Sequence, residues 1–490
     1  MFRPIQLKYG LPFSLLLFVM QTAFCGGSSD SAKSDDSPPP NIIFIFADDI
    51  SAHRLSPYGG DIEMPVLDRI GQSGIRFDTA WSSPLCGPSR AILQTGKYPQ
   101  NQGYWDNAIV PELPYYKDPR HHPWMRVARD AGYTTAFFDK LHPDHPHHES
   151  SDLGAQMEAY GADYYVVNRY WDGYDGPDQG RGGSERRGAY GVSWYWHPGL
   201  IRNREPVMVG ADDFGPDMIV SEIKSFIREN QEQPFFVYWP TNLPHKAYDP
   251  VAGRWSHTDV PEVDGSGRRT GNRIPGSLAS NMGYLDILLG EIEEQLETLG
   301  LLENTILFFV SDNGTADGDK GSFDRDRALR VPWVVSGGPV SARGSSKVMV
   351  SLVDMWPTIA DLTGYEGPRN TDGHSFAPYL LGEDFVPRDT LLMAMNNARW
   401  VRDSDWLLDG RGQFWDVHGA DSYHDYRKVS LSRDPEVIQA RLRLEAIRDR
   451  ELELPDYTDP LTRKGWRVFR RSKPPVKVFR PDFLPKVTAP

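Results

Sequence analysis

The run Asn41-Ile42-Ile43-Phe44-Ile45-Phe46-Ala47, followed by Asp48-Asp49, is the stretch that decides the fold prediction. A continuous apolar run of this length predicts a parallel strand that is buried on both faces. The two carboxylates at its carboxyl end lie where open α/β sheets place their sites. Adjacent carboxylates repel each other unless a cation lies between them, and hard divalent ions prefer oxygen ligands. The sequence therefore predicts an α/β fold with a divalent metal site at the end of this strand.

A second stretch repeats this arrangement further along the chain. Thr305-Ile306-Leu307-Phe308-Phe309-Val310-Ser311 predicts another buried strand, and it delivers Asp312 and Asn313 at its carboxyl end. Residues 278–299 precede it with leucines and isoleucines at helical spacing, and Gly300 ends that helix. Strands that alternate with long helices in this way favour an α/β sheet.

Between these two strands lies Cys86-Gly87-Pro88-Ser89-Arg90-Ala91-Ile92-Leu93-Gln94-Thr95-Gly96. Pro88 suits the first turn of a helix, where its missing N–H costs nothing, and Gly96 is placed to end the helix about two turns later. Cys86 is therefore predicted at the positive end of a short helix, where anions collect and a thiol is acidified.

Composition narrows the class of protein. The chain has 490 residues, enough for one large core and a smaller appended one, and its mean hydropathy of −0.51 excludes a polytopic membrane protein. A net charge of −14 argues against generic nucleic-acid binding. If the substrate is an anion, the site must be locally basic against this overall charge.

The amino terminus has the layout of a secretory signal. Arg3 and Lys8 precede an apolar run over residues 11–24, which is too short for a comfortable membrane span and ends at Cys25. We expect a signal peptide over residues 1–25, a disordered linker over 26–40, a catalytic domain over 41–385 and a C-terminal subdomain with a basic, proline-rich tail over 386–490. This organisation predicts a secreted or periplasmic protein, with a lipoprotein anchored through Cys25 as an open alternative. After cleavage Cys86 is the only thiol, which indicates that it is kept for reactivity.

Two polar stretches supply candidate substrate-binding residues. Residues 152–198 are poor in aliphatic side chains and are predicted to be a surface insertion, and residues 253–275 are predicted to be a loop. The candidates are the arginines of both stretches and one aromatic residue suited to a sugar ring, namely Arg186, Arg187, Trp194, Arg268 and Arg269. The alternative is that these arginines pair with carboxylates and the aromatic residues pack on the body.

The positions Cys86, Pro88, Ser89, Arg90, Thr95 and Gly96 closely resemble the signature of the type I sulfatases, in the alkaline phosphatase-like superfamily, and in particular secreted bacterial carbohydrate sulfatases. The resemblance covers residues 41–434. It implies a large mixed, mostly parallel sheet flanked by helices, and a smaller C-terminal α+β subdomain built on a short antiparallel sheet. It also implies that a formylglycine-generating enzyme converts Cys86 to Cα-formylglycine, whose hydrate is the nucleophile.

The same resemblance implies the residues of the site. One divalent cation, calcium with magnesium as the alternative, would be held by Asp48, Asp49, Cys86, Asp312 and Asn313. The catalytic residues would be Cys86, Arg90, Lys140, His142, His245 and Lys320. Arg90, with the metal, would activate the nucleophile, and Lys140 would bind sulfate throughout. His245, with Lys320, would protonate or stabilise the departing oxygen. His142 would then take a proton from the remaining hydroxyl of the sulfate hemiester, so that sulfate is expelled and the aldehyde re-forms. Asp139 and Leu141 depart from the family pattern around Lys140 and His142.

The function predicted in this way is hydrolysis of a sulfate ester on a poly- or oligosaccharide. Two alternatives stay open: a phosphonate or phosphodiester hydrolase of the same superfamily, and an inactive protein that binds sulfated glycans. The expected partners are a sulfated carbohydrate and the maturation enzyme, with no nucleic acid and no transmembrane span in the mature chain.

Overall fold

The computed structural model describes residues 38–107, 121–141, 153–168, 194–249 and 254–451. These residues contain nineteen strands, ten of which form a central mixed sheet. The strands are β1 Asn41–Ala47, β2 Ile75–Trp81, β3 Thr134–Asp139, β4 Tyr164–Asn168, β5 Leu200–Arg202, β6 Glu205–Pro206, β7 Phe235–Trp239, β8 Ala247–Asp249, β9 Arg254–Ser256, β10 Val260–Val263, β11 Arg269–Ile274, β12 Thr305–Ser311, β13 Trp333–Ser336, β14 Gly344–Ser351, β15 Leu391–Met395, β16 Ala398–Arg402, β17 Trp406–Leu408, β18 Phe414–Asp416 and β19 Arg427–Lys428. The helices are α1 Pro65–Ser73, α2 Cys86–Thr95, α3 Pro99–Gln102, α4 Trp124–Asp130, α5 Leu153–Tyr160, α6 Gly215–Glu229, α7 Leu278–Thr298, α8 Met355–Leu362, α9 Ala377–Leu381 and α10 Pro435–Glu451.

The strand order of the large sheet is β14-β2-β13-β12-β1-β7-β3-β4-β5-β6. The central strand β1 runs parallel to both of its neighbours, β12 and β7, and β3 continues the parallel set. The carboxyl ends of these four strands therefore meet at one edge of the sheet. This arrangement confirms the predicted mixed, mostly parallel sheet.

Helices cover both faces of this sheet. Alternate residues of β1 point to opposite faces, so Ile42, Phe44 and Phe46 join one buried core with α2, α4 and α8. Ile43 and Ile45 join the other core with α1, α6 and α7. All seven residues of β1 are buried, which is why the strand carries an uninterrupted uncharged run.

A second sheet of five antiparallel strands, in the order β15-β16-β17-β18-β19, confirms the predicted C-terminal architecture. Leu391, Met393 and Trp400 on one of its faces join the core of the large sheet. Val401 on the other face packs with α10 through Leu444. The small sheet is thus joined to the large sheet by continuous apolar packing.

Two predictions about polar stretches were wrong. Residues 152–198 are not all insertion, because residues 153–168 include α5 and the sheet strand β4, whose Val166 is fully buried. Residues 253–275 contain β9 and the hairpin of β10 and β11. Most of β11 is exposed, and without a buried face a strand shows no apolar alternation for sequence reasoning to detect.

The predicted signal peptide, the linker up to residue 37, Cys25 and the basic tail beyond residue 451 lie outside the described residues. Within the described ranges, every helix is too short or too polar to cross a lipid bilayer.

Candidate active site

The ends of β1 and β12 bring the predicted metal ligands together. Ala47 and Ser311 are in register, so the next residues of both strands are neighbours. The backbone N–H of Asp49 donates to Asp312 Oδ1 at 3.0 Å, and Asn313 Nδ2 donates to Asp49 Oδ1 at 2.7 Å. Asp49 adopts a left-handed φ of 67°, which turns the chain at the sheet edge. Parallel pairing of two apolar strands therefore places four polar side chains at one point.

These side chains fit a hard divalent cation. Asp48 Oδ1 and Asn313 Oδ1 are buried and have no hydrogen-bond partner among the described residues, although buried oxygens normally have one. Oxygen atoms of Asp48 and Asp49 and a ring nitrogen of His245 also lie within 4.8 Å of one another. Carboxylate and amide oxygens are the ligands that calcium and magnesium prefer.

Three cationic side chains face the three carboxylates, and we call these six residues the strand-end cluster: Asp48, Asp49, Asp312, Arg90, Lys140 and Lys320. Arg90 Nη2 lies 2.9 Å from Asp312 Oδ2 and 3.3 Å from Asp48 Oδ2. Lys140 contacts the same Asp48 oxygen, and Lys320 Nζ lies 2.5 Å from Asp49 Oδ1. The formal charges of the three carboxylates and the three cationic groups cancel, so a bound divalent cation gives the cluster a net positive charge. An anionic substrate can then be bound locally although the chain carries −14 overall.

The charges within the cluster shift one another's ionisation, and burial together with the charge of Asp48 raises the pKa of Asp312 to about 7. Burial alone would raise the pKa of Asp48, but Lys140, His245 and Arg90 bring it well below its usual range. Burial alone would lower the pKa of Lys320, but Asp49 raises it well above its usual range. Lys320 therefore carries a proton at neutral pH.

Cys86 opens α2, as predicted, and Gly96 ends this helix with a φ of 63°. The thiol is free and buried. Its Sγ lies 3.9 Å from Lys320 Nζ and 3.4 Å from Asn107 Nδ2. Sequence reasoning missed Asn107, because it lies in a loop about twenty residues beyond Cys86 and no motif links the two positions.

His245 lies on the loop that follows β7. Its Nδ1 is 2.7 Å from the Lys246 carbonyl oxygen, which only accepts, so Nδ1 carries the proton and Nε2 faces Asp49 at 3.7 Å. Burial, followed by the charge of Lys140, lowers the pKa of His245 to about 4. Neutral His245 therefore presents an acceptor nitrogen to the site.

Asp139 explains one departure from the family pattern around Lys140. Its carboxylate accepts hydrogen bonds from the backbone N–H of Asn242 at 3.0 Å and from Asn242 Nδ2 at 2.5 Å. Burial raises the pKa of Asp139 to about 6. These bonds tie the end of β3, which Lys140 directly follows, to the loop that carries His245.

Comparison with known proteins decides the family. The sulfatase family model matches residues 40–365, about two thirds of the chain. The chain belongs to the sulfatase family. It is a sulfuric ester hydrolase.

Individual relatives agree with this assignment. The N-acetylglucosamine-6-O-sulfatase of Bacteroides thetaiotaomicron is 27% identical over 448 residues, covering 79% of this chain and 78% of the relative. The structure of Ps i-CgsB in complex with k-i-k-neocarrahexaose has a TM-score of 0.64 at 22% identity, covering 89% of this chain and 98% of the other. The phosphonate monoester hydrolase of Agrobacterium radiobacter has a TM-score of 0.58 at 19% identity, covering 84% and 96%. At such identities the two structures show that the fold is shared.

The remaining predicted site residues of this sulfatase divide into three groups. His142, Arg186 and Arg187 lie outside the described residues. Trp194 lies at the site, with its ring 5.4 Å from that of His245 and 5.9 Å from Lys140 Nζ. Arg268 and Arg269 are paired elsewhere, Arg268 with Asp264 and Arg269 with carboxylates of α6 and α7.

One further aromatic residue, Trp255 on β9, was missed by sequence reasoning. Its ring lies 6.2 Å from the His245 ring, and 44% of the residue is exposed. The polar composition of residues 253–275 gave no signal for a strand there. Trp194 and Trp255 thus place two aromatic rings beside His245.

Proposed function

We propose that this sulfatase hydrolyses the sulfate ester of a carbohydrate. Its nucleophile would be a formylglycine made from Cys86, and it would use one divalent cation, calcium with magnesium as the alternative. The observation that carries the proposal is the convergence of Cys86 Sγ, the strand-end cluster and His245 at one edge of the sheet. An anion-binding centre, a residue suited to become a nucleophile and a group near the leaving oxygen are what this reaction needs.

The oxygens of Asp48, Asp49, Asp312 and Asn313, with the side chain at position 86, would hold the cation. A bound divalent cation supplies Lewis acidity that polarises the oxygens of the sulfate group. Arg90 and Lys140 lie against the same carboxylates and offer cationic donors for the other sulfate oxygens.

Lys320 and His245 would donate the hydrogen bond and the proton that the leaving oxygen needs. Lys320 is protonated at neutral pH, so its Nζ donates a hydrogen bond to developing negative charge on the leaving oxygen. His245 has its free nitrogen, Nε2, on the side of Asp49. A sulfate anion beside that nitrogen favours the protonated ring, which makes His245 an acid for the leaving oxygen. The family resemblance assigns the later proton removal, from the remaining hydroxyl of the sulfate hemiester, to His142.

A carbohydrate leaving group fits the aromatic residues beside His245. Trp255, which is 44% exposed, presents a flat apolar face that suits the face of a sugar ring, whereas Trp194 is buried and packs beside His245. The N-acetylglucosamine-6-O-sulfatase among the relatives acts on a sulfated amino sugar by its name. Binding of a longer sulfated chain by Arg186 and Arg187, and by Arg268 and Arg269, stays a prediction.

The setting of the enzyme is part of the proposal. An N-terminal signal over residues 1–25 would export the chain to the periplasm or medium, with or without an anchor on Cys25. A formylglycine-generating enzyme would act on Cys86 during biosynthesis, and the single-thiol mature chain suits this use.

Matched substrates test the reaction class. Sulfate esters of 6-O- and 4-O-sulfated amino sugars should be cleaved with a kcat/KM at least about 100-fold above that for the corresponding phosphate and phosphonate esters. The phosphonate monoester hydrolase of the same fold makes this comparison necessary. A preference for the phosphonate would replace the sulfatase proposal by the alternative.

Metal removal tests the cation. A chelator of divalent ions should lower both activity and the midpoint of thermal unfolding, because a ligand that binds the native state stabilises it by mass action. Added calcium should restore both, and magnesium is the control ion. If full activity survives after elemental analysis shows no bound metal, the assigned ligands do not hold a catalytic cation.

A further inference from the structure

Asn107 touches the side chain of Cys86 and has no role in the function proposed above. Its Oδ1 accepts a hydrogen bond from the backbone N–H of Gly87 at 2.9 Å, and its Nδ2 donates to Cys86 Sγ at 3.4 Å. The first of these contacts decides the orientation of the amide, because a reversed group would set two donors against each other at Gly87. The donor end of Asn107 therefore faces residue 86.

The loop of Asn107 approaches α2 too closely for a side chain at position 87. A Cβ on Gly87 would lie 2.5 Å from Asn107 Oδ1 and 2.7 Å from a ring carbon of Tyr104. Glycine at this position is therefore what lets the amide reach the first turn of α2.

Residues of the C-terminal sheet contact the loop that carries Asn107. Asp106 accepts a hydrogen bond at 2.7 Å from Asn396 Nδ2, and Asn396 lies in the turn between β15 and β16 with a φ of 50°. The guanidinium of Arg399 on β16 lies over the ring of Trp105 at 5.3 Å. Asn396 in the turn and Arg399 on β16 thus contact Asp106 and Trp105, the two residues that precede Asn107.

We propose that Asn107 is a further catalytic residue of this sulfatase, whose Nδ2–H donates to an oxygen of the mature residue-86 side chain, and that Asn396 positions it through Asp106. This inference rests on the proposed function, because it assigns the donor to the formylglycine. A neutral amide donor holds the nucleophile in one orientation without taking its proton. Lys320 is the second donor near position 86, at 3.9 Å from Sγ.

The first test is Asn107→Asp, which keeps the size of the side chain and replaces the donor by an acceptor. We expect kcat on a 6-O-sulfated amino sugar to fall about 100-fold or more, as when one preorganised donor is removed, with KM within about 3-fold. The midpoint of thermal unfolding and the formylglycine content at position 86 should match those of the wild type. An unchanged kcat overturns the proposal, and a rise in KM at constant kcat moves Asn107 to substrate binding and overturns it also.

Two further variants complete this experiment. Asn370→Asp makes the same chemical change at an exposed amide that contacts Lys97 Nζ at 2.7 Å, and it should leave kcat within about 2-fold. Asn396→Gly removes the amide that holds Asp106 and keeps a residue suited to positive φ. It should lower kcat about 10-fold at constant KM, because a misplaced catalytic group acts on kcat. Wild-type kcat in Asn396→Gly overturns the positioning role.

A thiol measurement tests the contact without any sulfatase activity. In protein produced without the maturation enzyme, position 86 is still cysteine, and its alkylation by iodoacetamide is followed by mass spectrometry of the Cys86 peptide. Asn107→Asp should slow alkylation about 10-fold, because a carboxylate beside Sγ disfavours the thiolate. Equal rates overturn the contact. If the wild type cleaves no sulfate ester, the proposed function fails, and this measurement still decides the role of Asn107 at position 86.

Discussion

Two groups of arginine–carboxylate ion pairs in this sulfatase differ in burial. One lies at the ends of β1 and β12, and the other lies where Arg269 contacts α6 and α7. At the strand ends, the side chain of Arg90 is 1% exposed and its two carboxylate partners are fully buried. On the helix face, the side chain of Arg269 is 30% exposed, and it pairs with Asp217 at 2.8 Å and also contacts Glu291.

The two groups also differ in which polar atoms have no hydrogen-bond partner. All three kinds of guanidinium nitrogen of Arg269 have acceptors, in Asp217, Glu291 and the Tyr284 hydroxyl. At the strand ends, by contrast, Asp48 Oδ1 and Asn313 Oδ1 have no hydrogen-bond partner among the described residues. The saturated cluster of Arg269 stabilises the fold, whereas the two unpartnered oxygens at the strand ends are available to coordinate a cation.

The largest effect is expected for Asp48→Asn at the strand ends. The change keeps the shape of the side chain but removes a charge that faces Arg90 and Lys140 and belongs to the proposed metal site. We expect kcat/KM to fall at least about 1000-fold, because a group that serves both metal and sulfate acts on every step. Circular dichroism should show that the fold is kept. Activity within tenfold of the wild type would mean that the strand-end cluster is structural, like the pairs of Arg269.

A smaller effect, and one on stability, is expected for Arg269→Ala. Loss of charged hydrogen bonds to Asp217 and Glu291 should lower the free energy of unfolding by about 1.5–3 kcal/mol. The neighbouring Arg268→Ala is the control, and it should cost less than about 0.5 kcal/mol, because that side chain is 81% exposed. Both variants should keep KM for a sulfated oligosaccharide. A raised KM in Arg269→Ala would instead support the substrate role predicted from the sequence.

Asp286 is a third kind of buried carboxylate, because it accepts its hydrogen bonds from backbone groups and not from an arginine. It accepts hydrogen bonds from the N–H groups of Val66 and Leu67 at the start of α1, at 2.8 and 2.9 Å. Burial raises its pKa from 3.8 to about 6. The native state therefore binds this proton more tightly than the unfolded chain does, and stability from this group grows as pH falls from about 7 towards 4.

The measurement for Asp286 is the urea unfolding free energy of the wild type minus that of Asp286→Asn, as a function of pH. This difference should increase by about 2 kcal/mol between pH 7 and pH 4, since one pKa unit corresponds to about 1.4 kcal/mol. A difference that falls over the same range would show that the backbone N–H groups keep the carboxylate ionised.

Sequence alone predicted those parts of the site that strands and helix ends deliver. Asp48 and Asp312 follow uncharged runs, so local pattern was enough to place them near one sheet edge. For Cys86, local pattern predicted a helix start, and only the family resemblance placed it in the same site. Asn107 and Trp255 were not predictable, since only tertiary packing brings their segments to Cys86 and His245. Arg269 shows the converse, because an arginine in a polar stretch gives no sign of the distant carboxylates that neutralise it.

The central claim is that Cys86 is the precursor of the nucleophile, and mass spectrometry of the peptide that contains residue 86 tests it most directly. The protein should come from its natural source and be purified as its sulfatase activity. If this assignment of Cys86 is right, residue 86 has lost H₂S and gained one oxygen relative to cysteine, the change from thiol to aldehyde. Fully active protein with an unmodified thiol at position 86 would contradict it.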